Sequence, residues 1–283
     1  MATRSWKQAN NHVRAQGTFA NLCIALAALV LLFVGGAIAA VVVAGTPRLV
    51  EAGTSPEVLF SLGMSLVTST ISTTICLLLS LPTAYALTRT HMPLNRLVEV
   101  VIELTLSLPY ILLGFALLLV FSSPMGKALR DAGFAVVFQP AGIVMAQLIV
   151  NLPFAVRMMR TALDGLDRRL ELVAATLGAS PFRVFRTIIL PLCRNSIVSA
   201  FVLTWARGMG EFGATLMLVG VTRMKTETLP GSIYLNISTG NNDMAMATAM
   251  VMLLLSAATL ILANLLNRPR AHAVDGGRAC RGR

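Results

Sequence analysis

Residues 164–191 read Asp164-Gly165-Leu166-Asp167-Arg168-Arg169-Leu170-Glu171, then Leu172-Val173-Ala174-Ala175-Thr176-Leu177-Gly178-Ala179-Ser180-Pro181, and close on Ile188-Ile189-Leu190-Pro191. This is a polar, basic stretch in a chain that is otherwise apolar enough to sit in lipid. The run that follows it, from about Pro191 to Val219, carries Arg207, Gly208, Gly210, Glu211 and Gly213 in its interior. Leu170, Val173, Ala174 and Leu177 recur at helical spacing, with Asp167 early in the pattern. The spacing predicts a short amphipathic helix lying at the membrane surface. Gly178, Ser180 and Pro181 break it.

Composition sets the frame. The 283 residues are 56% hydrophobic and 12% charged, about half the charge of a soluble domain. Apolar runs long enough to cross a bilayer occur at about 19–45, 59–87, 98–121, 139–156, 191–219 and 244–266. The expected fold is all-α: a polytopic membrane protein of six transmembrane helices with a short cytoplasmic helix between the fourth and fifth. Residues 1–18 are read as a cytoplasmic N-terminus and 19–45 as the first span, too long for the core of a cleaved signal peptide. Residues 59–266 form the core, with the loop 164–186 inside it. Residues 267–283, with five arginines and no apolar periodicity, are read as a disordered basic tail.

The net charge of +11 has a topological reading. With six spans and both termini inside, 17 of the 23 Lys and Arg fall on the cytoplasmic side, as the positive-inside rule requires. No soluble domain is present to host nucleic acid, so nucleic-acid binding is excluded. Four scattered cysteines and three isolated histidines offer no ligand spacing, and neither metal nor cofactor is expected.

Within the spans, Pro109 is expected to kink the third and Pro153 to distort the fourth. The Ser/Thr-rich second run suits close helix packing, or the lining of a pathway. Arg207 and Glu211, four apart, are expected to share a helix face. They are either a structural ion pair or part of a pathway, because charges inside a bilayer are costly. Gly210 and Gly213 beside them permit close approach or a break. No phosphate-binding G-x-x-x-x-G-K-[ST], nucleophile elbow or H-E-x-x-H is present. The chain has no visible means of hydrolysing a nucleotide, so it is not read as an enzyme. A gradient-driven transporter would need an ionisable relay or an internal repeat, and a membrane enzyme would need clustered acids or histidines. Neither pattern is evident. A plain basic loop resting on anionic headgroups remains the simpler reading of 164–186.

The order Ala174-x-x-x-Gly178, nine residues, Ile188-x-Leu190-Pro191 resembles the signature loop of the permeases of binding-protein-dependent ATP-binding-cassette importers, whose pattern is Glu-Ala-Ala-x-x-x-Gly-x(9)-Ile-x-Leu-Pro. Here Leu172 stands at the Glu position and Val173 at the first Ala. Glu171 comes one residue early, about 100° around a helix from the family position. The resemblance implies a coupling helix seated on an ATPase subunit, with Glu171, Ala174, Ala175, Gly178, Ile188, Leu190 and Pro191 as its coupling residues. The segments Gly210-Glu211-Phe212-Gly213-Ala214-Thr215-Leu216-Met217, Thr226-Glu227-Thr228-Leu229-Pro230 and Ile233-Tyr234-Leu235-Asn236-Ile237-Ser238-Thr239-Gly240 resemble the molybdate, tungstate and sulfate group of that family, molybdate foremost. The resemblance covers about residues 59–266. It implies a homodimer in the inner membrane, two ATPase subunits, an external oxyanion-binding protein that docks on outer loops including 220–242, and Arg207, Gly210, Glu211 and Gly213 as pathway or gate residues.

Overall fold

The structure is a computed structural model and describes residues 2–90 and 93–266; the basic tail expected at 267–283 lies outside the described residues. In chain order the helices are α1 (Ala2–Gly45), α2 (Leu49–Thr54), α3 (Pro56–Arg89), α4 (Asn95–Ser107), α5 (Tyr110–Ser122), α6 (Pro124–Asp131), α7 (Pro140–Asp164), α8 (Arg168–Thr176), α9 (Pro181–Val184), α10 (Leu190–Met209), α11 (Gly213–Val219), α12 (Leu229–Ser238) and α13 (Asn242–Leu266). Proline opens α3, α6, α7 and α9, where its missing N–H removes a donor that has no partner in the first turn. Five helical stretches are long and apolar enough to cross a membrane: Phe19–Thr54, Pro56–Arg89, Pro140–Asp164, Pro181–Met209 and Asn242–Ile261. The chain is a multi-pass membrane protein.

The third apolar run departs from expectation. Pro109 does not kink one helix; it separates two. α4 stops at Ser107 and α5 starts at Tyr110, with their axes 114° apart. Each has 13 residues, about 20 Å at 1.5 Å per residue, too short to cross about 30 Å of hydrocarbon alone. Together they follow α7. Leu113 of α5 packs with Ile143, Ala146 and Val150 near the start of α7. Glu99 of α4 pairs with Arg160 near its end at 2.8 Å. The fourth run is also longer than expected: α7 continues through the buried Pro153 as far as Asp164.

α3 is the axle of the bundle. Its 34 residues extend about 51 Å, longer than a hydrocarbon core of about 30 Å. Ser61, Ser65, Thr68, Ser69, Ser72, Thr73 and Ser80 are all buried on it. The small hydroxyl side chains let α7 and α10 come close, and their polar atoms bond across. Gln147 of α7 is the hub. Its amide nitrogen donates to the Gly208 carbonyl at 3.0 Å and to Ser69 Oγ at 3.3 Å, and its oxygen accepts from Ser72 Oγ at 2.9 Å. In the low dielectric of a membrane interior such satisfied bonds specify one packing arrangement.

The stretch 220–242, expected as an exposed polar loop, is folded back into the bundle. Thr226, Glu227, Thr228 and Leu229 are buried, and the Leu229 amide donates to Ser65 Oγ at 2.8 Å. α12 packs on α3 and α13. Within the stretch, Thr222, Met224, Lys225, Tyr234 and residues 237–242 stay exposed.

Candidate functional site

Two places concentrate the residues singled out in the sequence. The first is the segment from Asp167 to Pro191. Asp167 caps α8, its carboxylate accepting from the Arg169 amide at 2.9 Å. The helix ends in the turn that requires glycine: Gly178 has φ +80°, its amide donates to Ala175 O at 3.0 Å, and the Ala179 amide reaches back to Ala174 O at 3.0 Å. Ser180 and Pro181 start the next helix at once. That helix does not begin at Pro191, as the sequence led us to expect. It runs on from Pro181 to Met209 through a widened turn at 185–189, where the Leu190 amide bonds Phe185 O five residues back. Pro191 has no N–H to give and crowds the carbonyl four residues before it. The wide turn just ahead accommodates both effects, and such turns recur at functional positions.

This segment has an inner and an outer face. Inside, Ala174, Ala179, Val184, Ile188 and Ile189 pack with Ala84, Met159 and Leu163. Glu171 also turns inward, its carboxylate 2.8 Å from Arg89 Nε at the end of α3. Outside, Leu172, Leu177 and Phe182 are 66%, 82% and 71% exposed. Ala175 is exposed with them. A groove of about 590 Å³ runs between Leu170, Val173, Ala174 and Leu177 on one side and Ile188, Pro191 and Leu192 on the other. Arg168, Arg169, Arg183 and Arg186 are exposed as well. Large exposed apolar side chains on a rigid hook, with exposed arginines in the same segment, are the form of a protein-docking surface.

The second place is the fifth span. α10 ends at Met209, and Gly210, Glu211 and Phe212 break the helix before α11. The break removes the shared face expected for Arg207 and Glu211, and they are not ion-paired. Glu211, 4% exposed, instead caps α11, with its Oε1 accepting from the amides of Ala214 at 2.6 Å and Thr215 at 3.4 Å. The helix N-terminus answers that carboxylate. Arg207 lies between two aromatic faces, 5.3 Å from the Tyr110 centroid and 5.0 Å from that of Phe154, and donates Nη2 to the Tyr110 hydroxyl. Its Nε has no partner. Among the described residues no carboxylate lies within pairing distance of it. Gly213 faces α5 across the break, and Gly210 looks toward Met252.

The fold has known counterparts. Residues 76–271 match the family described as "Binding-protein-dependent transport system inner membrane component". The chain belongs to this family. Among curated relatives, the molybdenum transport system permease protein ModB of Mycobacterium tuberculosis is 38% identical over 218 residues, 76% of this chain and 81% of that one. A probable molybdenum ABC transporter permease of Haloferax volcanii is 33% identical over 88% of this chain and 91% of its own length. The ModB protein of Escherichia coli K12 is 37% identical over 61% of this chain and 80% of that one. Among solved structures, a bacterial alginate ABC transporter in complex with an alginate-bound periplasmic protein superposes with a TM-score of 0.75 at 15% identity, covering 91% of this permease and 96% of that chain. The inward-facing MetNI methionine ABC transporter gives a TM-score of 0.53 at 20% identity, over 75% and 95%. At those identities the likeness is one of fold.

Several residues of the permease that shape these places carry no sequence signal of their own. Arg89 reads only as one end of a loop, Tyr110 and Phe154 as apolar filling, and Gln147 as a stray polar residue. A buried long polar side chain in a span is the one hint, and it does not name the partner.

Proposed function

We propose that the chain is the membrane-spanning subunit of an ATP-driven importer of an oxyanion, with molybdate as its substrate. Two copies line the pathway, one ATPase subunit seats on the hook of each copy, and an external binding protein delivers the anion. Both termini lie in the cytoplasm of a cell whose inner membrane holds the complex. The single observation that carries this reading is the exposed apolar face of Leu172, Leu177 and Phe182 on a tightly fastened polar hook. The molybdenum-transport relatives support the substrate. The grouping of Arg89, Arg160, Arg168 and Arg183 at one end of the bundle supports the orientation.

Arg207 gives the oxyanion its one favourable charge at the break. Glu211 spends its carboxylate on the amides of α11 and not on Arg207, which leaves the guanidinium without an ion-pair partner. A guanidinium that no carboxylate pairs suits a tetrahedral oxyanion. The contact need only be transient, since a tight site would retain the substrate. Arg207→Leu in the transporter reconstituted with its ATPase and binding protein is expected to lower molybdate uptake at least about tenfold, the loss of one charged hydrogen bond. The ATPase should still co-purify. Undiminished uptake by Arg207→Leu removes Arg207 from the pathway; uptake of sulfate in preference to molybdate by the unaltered transporter overturns the substrate.

A further inference from the structure

The position of Glu171 raises a question that the hook alone does not answer. It lies one residue before the place where the resembling permeases carry their acid, and it turns inward. Its partner, Arg89, is the last residue of α3 and has a side chain only 5% exposed, against 18% for Glu171. Arg89 also donates Nη2 to the Leu163 carbonyl, near the end of α7, at 2.7 Å. A parallel bond runs from Arg168 Nη2 to the Thr88 carbonyl at 2.8 Å. Two charged bonds therefore tie α8 to the end of α3, and a third ties that end of α3 to α7. A nearly dry Arg–carboxylate contact has fixed geometry, and removing one partner leaves the other charge buried and unanswered.

The same α3 reaches the break in α10. Ser69 and Ser72 hold Gln147, and Gln147 holds the Gly208 carbonyl one residue beyond Arg207. Farther out, Ser65 holds the amide of Leu229. One rigid helix thus joins the hook, the break and the outer segment.

We propose that Arg89 and Glu171 are positioning residues: a strut that delivers movement of α8 to α3 and so to the break at Gly208–Phe212. Glu171 then acts on its own chain and not on the ATPase. This inference rests on the reading that α8 docks the ATPase, and it adds the path that leads inward from there. Docking alone would require only the outer face.

The test uses the whole transporter in proteoliposomes and compares three variants: Glu171→Gln, Arg89→Gln, and the exchange Arg89→Glu with Glu171→Arg. Each is scored for co-purified ATPase and for molybdate imported per ATP hydrolysed. Both single variants are expected to keep the ATPase bound and to go on hydrolysing ATP. Import per ATP should fall about tenfold, within the usual range of coupling between sites. The exchange should regain most of that loss, which general destabilisation would not do. If a single variant does not fold, recovery of folded, coupled transporter by the exchange carries the proposal, and failure of the exchange overturns it. Unchanged import per ATP overturns the strut. Loss of the ATPase from Glu171→Gln also overturns it, because Glu171 would then be a docking residue. Should Leu172→Asp leave the ATPase bound, the docking reading itself fails, whatever the strut variants do.

Discussion

Leu172→Asp combined with Phe182→Asp is expected to release the ATPase from the permease, with co-purified ATPase reduced about a hundredfold. The size follows from burial. A Leu or Phe taken from water to an apolar groove contributes about 1.5–3 kcal/mol. Losing two such side chains removes about 3 kcal/mol or more, and each 1.4 kcal/mol is tenfold in affinity. Introducing carboxylates into a dry contact adds to the loss. Both side chains are exposed in the permease alone, so neither Asp disturbs the fold. The variant should purify as well as the parent, with the same thermal midpoint in detergent. If the hook instead rested on lipid headgroups, the ATPase would stay bound, and pull-down at several concentrations separates the two outcomes.

Gly114→Ala is expected to lower uptake sharply by forcing α5 from α11. A methyl group there would stand 2.6 Å from the Ala214 Cα and closer still to its carbonyl oxygen. Both are backbone atoms, so no side chain can swing aside. Ala214 is the residue whose amide Glu211 caps, and α5 carries the tyrosine that holds Arg207. A shift of α5 therefore opens the cap and the arginine contact together. Overpacking of this kind costs about 1–3 kcal/mol. We expect a lower thermal midpoint and at least a tenfold loss of uptake. Gly53→Ala is the control. Nothing lies within 4 Å of its added methyl, and it sits in the short α2, so it should leave both unchanged.

The parts of this architecture legible in the sequence are those governed by local chemistry. Long apolar runs give spans, and Asp167, Gly178 and Pro181 punctuate the hook as their backbone preferences dictate. What escaped was long-range. Pro109 could have been a kink; the packing of Leu113 on α7 and of Glu99 on Arg160 turns it into a break. Arg207 and Glu211 looked like an i,i+4 pair because the pattern assumed a helix through Gly210. Glu211 prefers the unbonded amides of α11, which only a broken helix provides. The polarity of 220–242 suggested a wet loop, yet Ser65 of α3 supplies the partner that lets Leu229 be buried. Glu171 and Arg89 lie 82 residues apart, beyond any periodicity. In each case the deciding partner comes from another helix.

The account depends most directly on a hook that faces the cytoplasm and is covered by the ATPase. Leu177→Cys, placed in a chain lacking Cys23, Cys76, Cys193 and Cys280, puts one thiol at the most exposed point of that face. A membrane-impermeant maleimide should label it in inside-out vesicles stripped of ATPase, fail to label it in right-side-out vesicles, and lose access when the ATPase is added back. Labelling from the outer side, or labelling indifferent to the ATPase, would contradict the account.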